Sequence, residues 1–290
     1  MATAPQTEAD LPFTLSPVTG ALGAALGDIT LAPDLPQPTI DAISAALVLH
    51  KVLFFEDQGL SADDLLAFGR RFGLLEEHPF VGLYLDATRD APPELIIVES
   101  KDDVRSKADI WHSDVTWRLE PSLGTILRCN IIPPVGGDTL FADMSAAYRG
   151  LDDETKALID GLTAFHDWGH FRRELQRSGI DPAKIAELEE RFPPAEHPVV
   201  RIHPVSGEKI LFVNAGFTTR IKGWPEDESR ALLRRLYLQA WKPDYQVRFR
   251  WKPNAIAFWD NRSTQHYAVN DYGGQHRRME RVTIAGDRPY

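Results

Sequence analysis

Most of the chain shows short apolar segments separated by turns, a pattern that favours strands over helices. Residues Gln246-Val-Arg-Phe-Arg-Trp251 alternate polar and apolar side chains, which is typical of a strand with one buried face. The other short apolar segments predict strands at 51–55, 95–98, 110–117, 124–131, 138–142, 199–203, 209–213, 255–259 and 281–285.

Helical spacing of apolar residues is limited to a few segments. The predicted helices cover 40–49, a segment that begins after Ser61, 152–162 and 226–241. Ser61 is predicted to be an N-cap because Asp63 and Asp64 follow in the first turn. Many short strands with helices grouped outside them indicate a mainly β protein with a barrel-like or jelly-roll core. A parallel α/β sheet fits less well, since strands and helices do not alternate regularly.

Proline and glycine are spread evenly, and the sequence contains no internal repeat or long linker. This distribution predicts a single domain over residues 11–290, preceded by a flexible N-terminal tail at 1–10. A chain of 290 residues is long enough to build a core of substantial size.

Composition narrows the classes of function. The chain carries 32 Lys and Arg against 42 Asp and Glu, a formal charge of −10 without a basic block, which argues against a nucleic-acid partner. No apolar run approaches the ~20 residues of a membrane span. A single cysteine, Cys129, and the absence of a signal-peptide pattern lead us to expect a cytoplasmic protein. The acidic charge also argues against long-range attraction of anionic ligands.

Candidate chemistry begins at Trp111-His112-Ser113-Asp114. If this segment is a strand, His112 and Asp114 lie on the same face and supply two adjacent metal ligands. His266 is a candidate third ligand, and two histidines with one carboxylate form the facial triad of non-haem iron(II) oxygenases. A zinc hydrolase can use the same ligand types. Arg277 and Arg281 follow, and a guanidinium group suits bidentate binding of a carboxylate.

These residues lie in five longer motifs. They are WHSDVTW (111–117), GGDTLFADMSAAY (136–148), HPVVRIHPVSGEKILFVNAGFTTRI (197–221), WDNRSTQHYAVNDY (259–272) and HRRMERVTIAGD (276–287). The motifs resemble the taurine dioxygenase family of iron(II)- and 2-oxoglutarate-dependent oxygenases, and they keep that family's order and spacing from about residue 15 to the end of the chain.

The resemblance implies a double-stranded β-helix, or jelly roll, with flanking helices. It implies iron(II) held by His112, Asp114 and His266, with dioxygen and 2-oxoglutarate as cosubstrates. Thr139 and Arg277 match the residues that bind the distal carboxylate of 2-oxoglutarate.

The resemblance also implies a pocket for a small organic anion. The residues that match this pocket are His78, the backbone of Val115, Trp117, Phe217 and Arg281. Arg277, Arg281, His78 and the iron are expected to make the pocket locally positive despite the acidic chain. A homodimer or homotetramer is expected from the resemblance alone.

Two positions differ from taurine dioxygenase itself. Val81 and Ala108 stand where that enzyme uses a tyrosine and an asparagine to contact the substrate amine, and neither side chain accepts a hydrogen bond from ammonium. Tyr84 or Asp109 are the possible replacements. An alkyl sulfate or sulfonate, as in an alkylsulfatase-like branch, therefore fits better than taurine.

Hydroxylation of such a substrate would release an aldehyde with sulfate or sulfite, beside succinate and CO2, which indicates a role in sulfur metabolism. Taurine and aryloxyalkanoates remain alternative substrates. A non-catalytic jelly-roll binding protein is disfavoured because the predicted ligand set and Arg277 are intact.

Overall fold

The computed structural model describes residues 11–80, 92–101 and 109–290. Its helices are α1 (Gln37–His50), α2 (Ala62–Arg70), α3 (Met144–Arg149), α4 (Asp153–Ile159), α5 (Gly169–Arg177), α6 (Pro182–Arg191) and α7 (Glu226–Ala240). A short 3-10 helix covers Pro243–Tyr245.

The strands are β1 (Thr14–Pro17), β2 (Ala24–Gly27), β3 (Val52–Phe55), β4 (Ile96–Ser100), β5 (Gly124–Ile131), β6 (Thr139–Asp143), β7 (Thr163–His166), β8 (Ala195–Pro198), β9 (Val200–Ile202), β10 (Lys209–Leu211), β11 (Thr218–Ile221), β12 (Gln246–Phe249), β13 (Ile256–Asp260), β14 (Thr264–Ala268) and β15 (Arg277–Ile284).

Two sheets form the centre of the described structure. The larger has seven strands in the order β1-β2-β3-β13-β5-β15-β4, and the smaller has three in the order β12-β6-β14. Side chains of both sheets meet in one apolar cluster that includes Phe54, Trp259 and Met279 from the larger sheet and Phe141 from the smaller. The predicted mainly β fold with flanking helices, a jelly roll, is confirmed.

Helices α1 and α2 cover the outer face of the seven-stranded sheet, where Phe68 and Ile43 pack against Phe258 and Val282 within one cluster. The predicted N-cap of α2 is confirmed. Ser61 Oγ accepts a hydrogen bond from the amide of Asp64, whose side chain in turn accepts from the amide of Ser61, so that two free N–H groups at the helix start are satisfied.

The predicted strand at 110–117 is wrong. His112 makes an isolated antiparallel bridge with His266, and the chain then enters a turn in which Val115 has a φ of 46°. The side chain of Asn261 binds the main chain of Asp114 and replaces the hydrogen bonds of a strand ladder there.

Several elements escaped sequence-based prediction. Helices α5 and α6 carry few apolar residues, with only Leu175 buried in α5 and Ile185 and Leu188 in α6, so their apolar periodicity is weak. The predicted helix 152–162 ends at Ile159. The remaining unpredicted elements are α3, β1, β2, β7, β8, β11 and β14.

The tail 1–10, Val81, Tyr84 and Ala108 lie outside the described residues. The single domain over 11–290 stays a prediction. Within the described part of the chain, no helix combines the length and apolar character needed to cross a membrane.

Candidate metal centre

Three buried side chains converge beside β14, the edge strand of the smaller sheet. His266 lies on β14 and exchanges backbone hydrogen bonds with His112 in both directions, at 2.8 and 3.1 Å. Asp114 Oδ1 lies 3.7 Å from His112 Nε2 and 3.8 Å from His266 Nε2. Potential ligand atoms of the three residues all lie within 4.8 Å of one another, a spacing from which they can reach one ion.

The hydrogen bonds of these side chains are compatible with binding of a metal ion. His112 Nδ1 lies 2.7 Å from the carbonyl of Ile110, and because a carbonyl only accepts, Nδ1 carries the proton and Nε2 keeps its lone pair. Asp114 Oδ2 accepts a hydrogen bond from the hydroxyl of Thr125 at 2.9 Å. Two imidazole nitrogens and one carboxylate oxygen match the donor set of non-haem iron(II) sites.

The protonation states of the three side chains also suit a metal ion. Burial lowers the pKa of His112, and it lowers the pKa of His266 to about 3, so both imidazoles are neutral near pH 7. Burial alone would raise the pKa of Asp114. Arg281 and the two histidines more than offset that effect and hold its pKa well below the usual range. The set therefore offers two neutral donors and one anion.

Arg277 is a buried cation that lacks a negatively charged partner among the described residues. Its side chain is 4% exposed, and its Nε donates to the carbonyl of Gly137 at 3.3 Å. It forms no ion pair within the described ranges. A buried guanidinium group without a carboxylate is costly, so an anionic ligand would relieve an unfavourable arrangement.

Thr139 lies on β6, two residues after the Gly137 carbonyl that Arg277 contacts. Its Oγ1 accepts a hydrogen bond from Trp251 Nε1 at 2.9 Å. Because a lone pair is engaged, the hydroxyl proton is left to donate elsewhere. Trp251 was not singled out from the sequence, since a tryptophan at the end of a predicted strand gives no signal of its hydrogen bond.

The predicted substrate residues lie near the three converging side chains, and Val115, Trp117 and Phe217 belong to one apolar cluster. Arg281 Nη2 lies 3.1 Å from Asp114 Oδ1. The Phe217 ring meets the His112 ring edge-on at 5.9 Å, and the Trp117 ring lies 6.4 Å from the His78 ring. Val115, 4% exposed, has no hydrogen-bond partner for its amide within the parts of the chain that are described.

His78 contributes a hydrogen-bond donor to this region instead of the positive charge expected from the sequence. Burial, followed by the charge of Arg281, lowers the pKa of His78 to about 3. Its Nδ1 accepts from the amide of Phe80 at 3.3 Å, which leaves the proton of the neutral ring on Nε2.

Phe171 on α5 adds an aromatic wall that the sequence did not predict. Its ring centre lies 6.1 Å from that of His78 and 6.0 Å from that of Phe217. The residue was missed because α5 itself was missed.

Gly216 allows the chain to approach His112 closely. A Cβ at this position would lie 2.9 Å from the Cβ of His112. We expect Gly216→Ala to displace His112 and to weaken metal binding by ~10- to 100-fold. Calorimetric titration of the metal-free protein with cobalt(II) measures the effect.

Gly59→Ala is the matched control, because a Cβ at Gly59 meets nothing within 4 Å. Wild-type cobalt affinity in a folded Gly216→Ala protein would show that His112 tolerates the added methyl group.

Comparison with known proteins gives matches over nearly the whole chain. The family model described as taurine catabolism dioxygenase TauD, TfdA family matches residues 14–283. An α-ketoglutarate-dependent sulfate ester dioxygenase of Pseudomonas putida is 38% identical, over 100% of this chain and 94% of the relative. An alkylsulfatase of Acinetobacter baylyi is 35% identical, over 94% of this chain and 85% of the relative.

The solved structures include a similar fold. The crystal structure of a taurine dioxygenase from Burkholderia xenovorans superimposes with a TM-score of 0.80 at 34% identity, covering 96% of this chain and 90% of that one. The likeness therefore extends through both the sequence and the arrangement of the sheets.

Proposed function

The chain belongs to the taurine catabolism dioxygenase TauD, TfdA family, and from that premise we propose that it hydroxylates an alkyl sulfate or a related alkyl sulfonate. As a member it is a 2-oxoglutarate-dependent dioxygenase whose cofactors are iron(II), 2-oxoglutarate and dioxygen. The main structural support for the proposal is the convergence of His112, Asp114 and His266 beside the side chain of Arg281.

In this proposal the three converging side chains hold the iron. Bound there, the metal supplies the oxidising chemistry, which no side chain could provide. The protein's part is to present two neutral imidazoles and one carboxylate on one side, so that other coordination positions stay open.

Arg277 and Thr139 bind the distal carboxylate of 2-oxoglutarate. The unpaired guanidinium group offers two parallel N–H donors, and the Thr139 hydroxyl, whose oxygen already accepts from Trp251, offers another. Binding of the carboxylate replaces a buried, uncompensated charge with an ion pair.

The sulfate group of the substrate binds to Arg281, His78 Nε2 and the amide of Val115. Arg281 supplies charge, while neutral His78 and the unpaired amide supply hydrogen bonds. The other described residues proposed to line the substrate pocket are aromatic: Trp117, Phe171 and Phe217. Such a wall suits an alkyl chain, and the relatives named as sulfate ester dioxygenase and alkylsulfatase support the same class of substrate.

The proposed reaction uses both oxygen atoms of O2. Hydroxylation at the carbon that bears the ester oxygen converts R–CH2–OSO3⁻ into R–CH(OH)–OSO3⁻, with one atom of O2. The other oxygen atom enters succinate as 2-oxoglutarate loses CO2. The hydroxylated ester then breaks its C–O bond to sulfate, giving R–CHO, sulfate and a proton.

A substrate panel tests this proposal. Purified protein with iron(II) and 2-oxoglutarate is given alkyl sulfates, alkyl sulfonates, taurine and phenoxyacetates, and succinate formation and O2 uptake are followed. We expect the fastest substrate-dependent turnover with an alkyl sulfate. Robust turnover with taurine or a phenoxyacetate alone would overturn the proposed substrate while leaving the reaction class intact.

Arg281→Gln is expected to raise KM for the alkyl sulfate by ~10- to 150-fold, because a hydrogen bond to a charged group contributes about 1.5–3 kcal/mol. Steady-state kinetics measure the effect, and KM for 2-oxoglutarate in the same variant is the internal control. An unchanged KM for the sulfate would place the anion elsewhere.

We further propose that the enzyme acts in the cytoplasm as a homodimer or homotetramer and releases sulfur from organic anions. The single cysteine, which is buried, fits a reducing compartment. Light scattering after size-exclusion chromatography tests the assembly, and a monomer at working concentration would contradict it.

A further inference from the structure

The side chain of Asn261 binds both main-chain polar groups of Asp114. Its Oδ1 accepts a hydrogen bond from the Asp114 amide at 2.6 Å, and its Nδ2 donates to the Asp114 carbonyl at 3.0 Å. Nδ2 also donates to the carbonyl of Ser122 at 3.1 Å. Asn261 is 1% exposed, so these three hydrogen bonds form away from solvent.

The main chain at Asp114 needs such support because it lies in neither a helix nor a strand. The next residue, Val115, has a φ of 46°, and the left-handed region is unfavourable for a β-branched residue. A strained backbone of this kind persists only when its surroundings determine it. Asn261 fixes the residue immediately before the strained position.

The segment that contains Asn261 also carries His266. Ser113 Oγ donates to the carbonyl of Thr264 at 2.7 Å, and His112 and His266 exchange backbone hydrogen bonds. Residues 261–266 therefore contact each of residues 112–114 in turn. This arrangement brings two distant parts of the sequence into register at the metal centre.

We propose that Asn261 is a positioning residue of the metal centre. It holds the Asp114 main chain so that the carboxylate meets the two histidines while the Val115 amide faces the anion site. Thr125 completes the restraint by binding Asp114 Oδ2. The inference rests on the proposed role of Asp114 as a metal ligand.

Gln58 offers a matched control for the loss of a buried amide. It is 4% exposed, its Oε1 accepts from the amide of Leu31 at 2.7 Å, and its Nε2 donates to the carbonyls of Ile29 and Glu56 at 3.2 and 2.8 Å. Its hydrogen-bond pattern repeats that of Asn261, but none of its partners belongs to the proposed site.

The test compares Asn261→Ala with Gln58→Ala. Cobalt(II) affinity is measured by calorimetry on metal-free protein, and thermal unfolding is measured without metal. Both variants are expected to lower the unfolding temperature. Asn261→Ala alone is expected to lower metal affinity by ~10- to 100-fold, as for other partners that orient metal ligands, and to raise KM for the sulfate.

Asn261→Asp is the second variant, and it tests the positioning role of Asn261 if Asn261→Ala fails to fold. It preserves the size and the acceptor for the Asp114 amide but loses both donated hydrogen bonds, so weakened metal binding is again expected. Wild-type cobalt affinity in a folded Asn261 variant would overturn the inference. Absence of cobalt binding in the wild-type protein would instead overturn the proposed metal centre.

Discussion

Asp114→Ala is expected to lower metal affinity by more than ~100-fold and to remove 2-oxoglutarate turnover. This loss of affinity exceeds the effect of removing a residue that only orients a metal ligand. The reason is that Asp114 supplies the only carboxylate in the converging set of the described residues. Metal at 100 times its Kd should stabilise the wild-type protein by ~2.7 kcal/mol. Thermal unfolding with and without cobalt(II) measures whether the variant loses this stabilisation.

Asp114→Asn is the control for shape. Its amide oxygen can still accept the hydrogen bond that Thr125 donates to Asp114 Oδ2, so the turn should survive while the negative charge is lost. We expect this variant to unfold like metal-free wild type and to bind cobalt weakly. Full metal stabilisation in either variant would show that Asp114 is not a ligand.

Arg277→Gln is expected to raise the KM for 2-oxoglutarate by ~30- to 5,000-fold, because truncating one partner of a buried charge pair costs about 2–5 kcal/mol. Arg277 is 4% exposed and has no ion-pair partner within the described ranges, so the pair in question forms only with the cosubstrate. Anaerobic titration of the iron(II) protein with 2-oxoglutarate, followed by the visible charge-transfer band, measures the affinity directly.

Arg278→Gln is the matched control on the same strand. Arg278 lies next to Arg277, but its guanidinium group pairs with Glu280 at 3.0 Å and its side chain is 27% exposed. We expect wild-type 2-oxoglutarate affinity in this variant. Equal losses in the Arg277 and Arg278 variants would indicate a general effect of charge near β15 instead of a specific anchor.

The sequence predicted the elements whose signals lie in residues close to one another along the chain. Strand β5 coincides with the prediction for 124–131, because a short segment containing Thr125, Ile126 and Leu127 lies between turns. Ser61 was recognisable because its cap depends on neighbours three residues away. Helices α5 and α6 were not recognisable, since their few buried residues leave almost no periodic signal.

The candidate site was also predicted only in part from the sequence. The sequence motifs led to His112, Asp114 and His266, and the structure brings these residues together. The expected strand at 110–117 was wrong because the backbone of Asp114 bonds to the side chain of Asn261 instead of a neighbouring strand. Asn261 stands inside the motif WDNRSTQHYAVNDY, but only three-dimensional contacts reveal what its amide binds.

Net charge proved a poor guide to the ligand. A chain with a formal charge of −10 nevertheless buries Arg277 without a carboxylate partner among the described residues and places Arg281 against the carboxylate of Asp114. Because low-dielectric surroundings strengthen short-range interactions, we expect two such guanidinium groups to outweigh a distant acidic surface in the choice of ligand.

The stoichiometry of a single reaction provides the strongest test of the proposed function. Purified protein is incubated with iron(II), 2-oxoglutarate, O2 and a medium-chain alkyl sulfate, and sulfate, aldehyde and succinate are quantified together. The proposed function predicts one sulfate and one aldehyde for each substrate-dependent succinate. Release of sulfate without succinate, or formation of succinate that no alkyl sulfate accelerates, would contradict it.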